Sequence, residues 1–248
     1  MGLFDTEAII LKTLRLGEAD KLVTLLSDKR GILKAVAKGS RRPKSRFGSS
    51  LEPFTLCRID LFEKKPTILM RMNGAEIIHS HRKIRDLLIR IDTASRMVRF
   101  VLALLPEGEA SPGTFQLLKN GLQQLQTEKD PEWLLCAFEF KCLKLAGYHP
   151  RFEGCIFCRE KVDDQPVYFS PAQGGVYCKL CADRQREILT RISPGTVSTI
   201  RMTERLDGKG LFRLRVGSSV RSELETVLDV HLSHILGKNV FERVNRTR

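Results

Sequence analysis

The chain has 248 residues, 42% hydrophobic and 29% charged, enough apolar material for one large packed domain or two to three small ones and too much for wholesale disorder. No apolar run approaches the ~20 residues of a membrane span, and the Met1–Glu7 stretch lacks the basic-then-apolar order of a secretory signal, so a cytoplasmic protein is expected. The formal charge of +13 is concentrated at the two ends, with +6 on residues 1–81, +2 on 82–149 and +5 on 150–248, a surplus that suits phosphate backbones as partners.

In chain order, residues 1–80 read as strands. Ala8–Leu11, Lys21–Ser27 and Ile32–Ala37 are apolar stretches separated by turns at Gly17-Glu18-Ala19-Asp20 and Asp28-Lys29-Arg30-Gly31. Phe54–Phe62 alternates with period two, setting Cys57, Ile59 and Leu61 opposite Arg58 and Asp60. A turn at Lys64-Lys65-Pro66 leads to Thr67–Met72, with a bulge expected at Gly74. Five short strands in about eighty residues predict a small closed barrel of the OB type.

The period then becomes helical. Leu87, Ile91, Ala94, Val98, Val101, Leu102 and Leu105 form one stripe over Arg85–Leu105. A second helix is expected over Thr114–Leu125, and a third opens at Asp130-Pro131-Glu132, with Asp as N-cap and Pro at the first helical position. That third helix is apolar nearly all round, which places it at the centre of a bundle. A Gly- and Pro-punctuated insert follows. Helices are then expected at Ala182–Ile192, after the Ser193-Pro194 cap pair, and over Ser219–Leu236 before Gly237, with Leu211–Val216 as a strand or loop and a fraying tail from Arg243. The organisation predicted is an OB domain over 1–80, a helical domain over 81–149 and 183–248, and an inserted ribbon over 150–182, in an α+β multidomain class.

Seven cysteines include two pairs of identical spacing, Cys155-Ile156-Phe157-Cys158 and Cys178-Lys179-Leu180-Cys181. Two such knuckles at this separation point to a zinc ribbon with a tetrahedral four-cysteine site, with Val167–Phe169 and Gly174–Tyr177 as the hairpin between them. Four protein thiolates leave no position for an activated water, so the expected zinc is one structural ion. A redox motif would use a single knuckle in a thioredoxin-like setting. Cys57 and Cys142 read as small core residues.

Between Lys29 and Leu51 lie eight basic residues and no acidic one. Lys34, Lys38, Arg41, Arg42, Lys44 and Arg46, mixed with Gly and Ser, can lay cations and backbone N–H groups along a phosphate chain, and are the candidate DNA-binding residues. The alternative is a disordered, solubilising loop. Walker A, G-x-S-x-G, H-E-x-x-H and G-x-G-x-x-G patterns are all lacking, so no catalytic residue is assigned and a non-enzyme is expected. His79 and His81 would share a strand face and form an incomplete metal pair, while His231 falls on the apolar stripe of Leu224, Val227, Leu228 and Ile235 as a core histidine.

The order of these parts resembles the RecO family of DNA repair proteins. The resemblance rests on Gly17-Glu18-Ala19-Asp20-Lys21, Gly31, Ala37–Arg46 followed by Leu51-Glu52-Pro53-Phe54, the double knuckle within a helical region, and His234-Ile235-Leu236-Gly237-Lys238. It implies a bacterial, nucleoid-associated recombination mediator that binds single- and double-stranded DNA, anneals complementary strands, and with RecR helps load RecA onto strands coated by single-strand-binding protein. It also implies recognition of the acidic, Phe-ending C-terminal tail of single-strand-binding protein; the near-neutral helical region, whose apolar faces carry Arg96, Arg99, Lys141 and Lys144 at their edges, is the expected site, and the competing one is the basic loop of Arg41, Arg42 and Lys44. Other classes with the same charge and ribbon are an RNA- or protein-bridging accessory factor of ribosome or transcription machinery and, more remotely, a metal-dependent nuclease.

Overall fold

A strand that must close a barrel has to pair on both edges, and the first strand is long enough to do so. In the computed structural model, which describes residues 2–63, 69–162 and 165–237, β1 spans Gly2–Leu16. Its first half pairs antiparallel with β4 (Leu56–Glu63), from Gly2 opposite Glu63 to Ile9 opposite Leu56. Its second half pairs with β2 (Asp20–Ser27), and the register shifts between Ile10 and Lys12, where the bulge bends the strand from one partner to the other. With β3 (Gly31–Ala37) and β5 (Met70–His79) the strands close into a barrel of order β1-β2-β3-β5-β4, with β3 and β5 parallel. Of the two register shifts between β4 and β5, one lies between Leu56 and Cys57 and the other falls at Asn73, beside Gly74, where Asp60 faces Gly74 but Leu61 faces Met72. The predicted turn at Lys64-Lys65-Pro66 and the tail from Arg243 lie outside the described residues.

Alternation fills the barrel. Ala8, Ile10, Val23, Leu25, Leu33, Ala35, Cys57, Ile59, Leu61 and Met72 point inward into one core. Gly31 could be no other residue: its φ is +67, and an added Cβ would lie 1.8 Å from the Glu109 carbonyl oxygen.

A 3-10 turn, Arg82–Asp86, precedes α1 (Leu88–Leu104), and α2 spans Pro112–Leu125. The predicted stripe holds at Ala94, Val98 and Val101, whereas Leu87 is exposed and Ile84 of the 3-10 turn is buried. These elements and the barrel form one compact unit, residues 1–128, and residues 129–248 form a second.

In the second unit α3 (Pro131–Leu145) is buried from Trp133 through Leu143, as its composition requires. Asp130 caps it, accepting from the Trp133 N–H at 3.1 Å, and also pairs with Arg221. A four-stranded sheet of order β6-β8-β7-β9 follows, built from β6 (Arg151–Cys155), β7 (Val167–Ser170), β8 (Gly175–Tyr177) and β9 (Thr190–Ile192). The hairpin expected between the knuckles is β7–β8, antiparallel with Phe169 opposite Val176.

Two expectations fail here. The helix expected over 182–192 is only the short α4 (Lys179–Ala182), and Thr190–Ile192 pairs with β7 instead. Ile192 is buried by that pairing, while Ile188, which a helix would have had to place, is exposed. Leu211–Val216, expected as a strand or loop, divides: α6 spans Gly208–Arg213 after α5 (Pro194–Arg205), and residues 214–216 are irregular. Leu211 and Phe212 are both fully buried, which neighbours on a helical turn can achieve and neighbours on a strand, facing opposite ways, cannot easily do. The last helix, α7, spans Ser218–Leu236 and ends at Gly237 with φ 72. Its His231 is a core residue, with Nε2 2.8 Å from the Tyr148 carbonyl oxygen.

Candidate nucleic-acid interface and metal centre

The basic stretch between β3 and β4 is not a loose loop. It is a run of turns whose apolar side chains, Phe47 and Leu51, insert into the barrel core at 3% and 1% exposure. Backbone bonds link successive turns, Arg42 N to Gly39 O, Ser45 N to Arg42 O and Ser50 N to Phe47 O, and the Ser50 hydroxyl also donates to Phe47 O at 2.6 Å. The turn between β1 and β2 holds the other side. Asp20 Oδ1 accepts from Gly39 N at 2.7 Å, and Arg41 Nη1 donates to the Gly17 and Glu18 carbonyls. Gly17-Glu18-Ala19-Asp20 is therefore the brace of the basic segment.

On this anchored segment Lys38, Arg41, Arg42, Lys44 and Arg46 are all exposed. Lys34 differs from them: it is half-buried on β3 and ion-paired with Glu107, so its charge is already compensated. The remaining five form a fixed cationic surface. Folding has already ordered their backbone, so a phosphate chain meets them without that entropic cost.

The four knuckle cysteines converge in the second unit. Their sulfurs all lie within 4.8 Å of one another, and Cys158 Sγ is 3.7 Å from Cys178 Sγ. An ion holding four thiolates tetrahedrally at about 2.3 Å sets sulfur–sulfur edges of about 3.8 Å, so the residues fit one such ion. The local chemistry agrees. Burial opposes ionisation of Cys155, but the backbone N–H groups of Cys178, Cys158 and Phe157 outweigh it and bring the thiol down to about 6. Cys181 is pushed up to about 12, first by burial and then by its bonds to the other three thiols. The cluster readily carries one negative charge, and a bound cation is what would let it carry four.

The isolated cysteines are inert core residues. Cys57 is pushed up to about 12 by burial, and Cys142 is fully buried. The histidine pair is not a metal site either. His81 leaves the strand with φ 47 and puts Nδ1 2.7 Å from the Phe54 carbonyl oxygen, while its N–H donates to His79 Nδ1. Burial, helped by the charges of His79 and Arg85, outweighs the Phe54 bond and lowers His81 to about 4.

That shift has a sign that can be measured. A folded pKa below the ordinary value near 6.5 means that the unfolded chain takes up the proton first, so the contribution is complete above about pH 6.5 and is lost as pH falls toward 4. At 1.36 kcal/mol per unit it is worth about 3 kcal/mol. Denaturant titrations of the barrel between pH 7 and 4 should show this decline. His81→Asn, which tolerates the left-handed backbone, should flatten it, and an unchanged slope in that variant would exclude His81 as the cause.

Of the cations expected on the helices, Lys141 and Lys144 are already engaged. Lys141 Nζ donates to the Glu204 and Leu206 carbonyls at 3.0 and 2.9 Å and pairs with Asp207, and Lys144 Nζ donates to Glu204 O. They cap the C-terminus of α5. Arg99 instead lines an apolar groove of about 540 Å³ with Lys12 and Arg85, over Leu11, Phe54, Ile91, Val98 and Leu102. Nothing local in the sequence marks Lys12 or Arg85 for this place, because they come from a strand and a 3-10 turn far apart in the chain.

Sequence comparison agrees with this arrangement. Residues 1–81 match the family model of the recombination protein O N terminal domain, and residues 87–242 match that of its C terminal domain. The chain belongs to the RecO family. Proteins named DNA repair protein RecO are 32% identical to it in Symbiobacterium thermophilum, across 94% of this chain and 92% of that one, and 32% identical in Thermodesulfovibrio yellowstonii, across 95% and 94%. In Myxococcus xanthus the identity is 31%, across 97% of this chain and 95% of the relative. The two RecO segments meet between residues 81 and 87, the stretch occupied by the 3-10 turn.

Proposed function

We propose that this RecO-family chain is a DNA repair and recombination mediator that acts by binding, not by catalysis. It holds single- and double-stranded DNA, brings complementary strands together and, with RecR, assists RecA loading onto strands coated by single-strand-binding protein. The observation that carries this reading is the anchored basic segment, which presents Lys38, Arg41, Arg42, Lys44 and Arg46 on a scaffold plugged into the barrel. The closed five-stranded order with β3 parallel to β5 supports assignment of the barrel to the OB type, a common platform for single strands. Zinc is the ion whose thiolate chemistry best suits the four-cysteine cluster, as a structural metal. Among the described residues no helix is long and apolar enough to cross a membrane, and a cytoplasmic, nucleoid-associated setting accords with DNA as partner.

The groove of Lys12, Arg85 and Arg99 supports a further reading of the same kind. An apolar floor bearing Lys12, Arg85 and Arg99, with no carboxylate among the described lining residues, suits the acidic, Phe-ending tail of single-strand-binding protein.

Strand annealing tests the proposal. The purified chain should speed the pairing of labelled complementary oligonucleotides, both naked and coated with single-strand-binding protein. Annealing at the uncatalysed rate, with RNA bound in preference to DNA, would instead favour an accessory factor of ribosome or transcription machinery.

A further inference from the structure

An oxidant enters a thiol cluster through whichever sulfur solvent can reach, and here the four cysteines differ. Cys155 and Cys181 are buried at 2% and 6% exposure, Cys178 is half-buried and Cys158 is exposed. The open side of the cluster therefore takes one cysteine from each knuckle, the second of the first and the first of the second. These two are also neighbours, with Cys158 Sγ 3.7 Å from Cys178 Sγ.

The backbone keeps that pair side by side. Cys155 N donates to Glu160 O and Arg159 N to Cys155 O, both at 2.9 Å, so Cys158 stands in a closed turn. Ile156 N donates to Val176 O at 2.8 Å, which ties this turn to β8, the strand that leads directly into Cys178. A disulfide within either C-x-x-C knuckle, the usual pairing for such a motif, would have to draw on buried Cys155 or buried Cys181. A bond across the knuckles joins the two accessible sulfurs.

We propose that Cys158 is an oxidation site, and that a peroxide joins it to Cys178 in a disulfide that expels the metal. The Cys158 thiolate attacks one peroxide oxygen, which gives a sulfenic acid and releases hydroxide. The Cys178 thiolate then attacks the Cys158 sulfur, the S–S bond forms and the sulfenic oxygen leaves as a second hydroxide. Two protons from solvent convert both hydroxides to water, so each sulfur gives up one electron and the peroxide accepts two. The sulfurs close from 3.7 Å to the bonded distance of about 2.05 Å. Only Cys155 and Cys181 remain as thiolates, half the donors of a closed tetrahedral site. The new bond links the same two knuckles that the metal links in the reduced chain. This inference rests on the four-cysteine metal reading above.

The test treats the zinc-loaded full chain with equimolar hydrogen peroxide, then alkylates it and maps the peptides by mass. Zinc, read with a chromogenic chelator, should appear in step with a peptide pair joined through Cys158 and Cys178, and a thiol reductant with added zinc should reverse both. Cys57, Cys136 and Cys142 are buried in the core and should stay reduced. Cys158→His keeps a fourth zinc ligand but supplies no sulfur to oxidise, so its zinc should leave about tenfold more slowly. Should that variant fail to load with zinc, the wild-type map decides alone.

A first product joined through Cys155 and Cys158 or through Cys178 and Cys181 overturns the proposal. So does zinc retained through the treatment, zinc released without a disulfide, or release from Cys158→His as fast as from wild type. The metal reading fails at a different step: never-chelated protein without zinc before any oxidant is added removes the site itself, whereas the outcomes above leave the metal in place and remove the oxidation alone.

Discussion

Replacing Cys155 or Cys178 with Ser is expected to release the metal and open the region from β6 to β9 as a unit. The sulfurs converge within 4.8 Å, and the strands around them, three to five residues each, are too short to hold a sheet by their ladder bonds alone. Structural zinc contributes on the order of 10 kcal/mol to small metal-folded modules at neutral pH, against about 2–5 kcal/mol for truncating one large core side chain. Losing one thiolate should therefore cost more than any single change in the apolar core. The barrel should be untouched, because its core, among the described residues, draws on side chains from Phe4 to Ala75. Metal analysis and amide hydrogen exchange report both halves: zinc falls to background and amides in β7 and β8 lose protection, while β1–β4 keep theirs. Freshly purified, never-chelated protein without zinc, or Cys155→Ser with wild-type protection in β7 and β8, would show that the cluster is not a metal staple.

Removing charge from the basic segment should have the largest effect on DNA. If about five phosphates are neutralised, log affinity for a single strand falls with log salt at a slope of roughly −3.5, and Arg41, Arg42 and Lys44 to Ala should bring it to roughly −1.4. Extrapolating from 1 M salt, where counterion release vanishes, the same three contacts account for roughly a 10²- to 10³-fold loss at 50 mM. Lys34→Ala supplies the control. Its ammonium is ion-paired with Glu107, so the slope should stay near wild type even though the residue sits in the same basic run. Fluorescence titration across a salt series measures all three. A slope near zero in the wild type, or a triple variant indistinguishable from it, falsifies the phosphate-contact reading.

Much of this was legible in the sequence because the signals were local. Period-two alternation over Leu56–Phe62, the Asp130-Pro131 and Ser193-Pro194 caps, and the twin knuckles each depend on residues within a few positions, and each appears in the structure as read. The excess of cations between Lys29 and Leu51 was equally plain, and so was the family resemblance, carried by short motifs such as Gly17–Lys21.

What only the tertiary structure decided depends on partners distant in the chain. Lys34 and Arg41 look alike in a one-dimensional charge run, yet Glu107 neutralises the first while two turn carbonyls hold the second at the surface. Lys141 and Lys144 look like free helix cations until the C-terminus of α5 arrives to use them. Thr190–Ile192 could have continued a helix, but an unpaired edge of β7 was available and strand pairing there buries Ile192. The basic segment has the composition of disorder; Phe47 and Leu51 order it, because the barrel has an apolar interior for them to fill. Local propensity and motif spacing are written in neighbouring residues. Whether a charge is compensated, a strand edge is taken or a loop is anchored depends on which surfaces folding brings together.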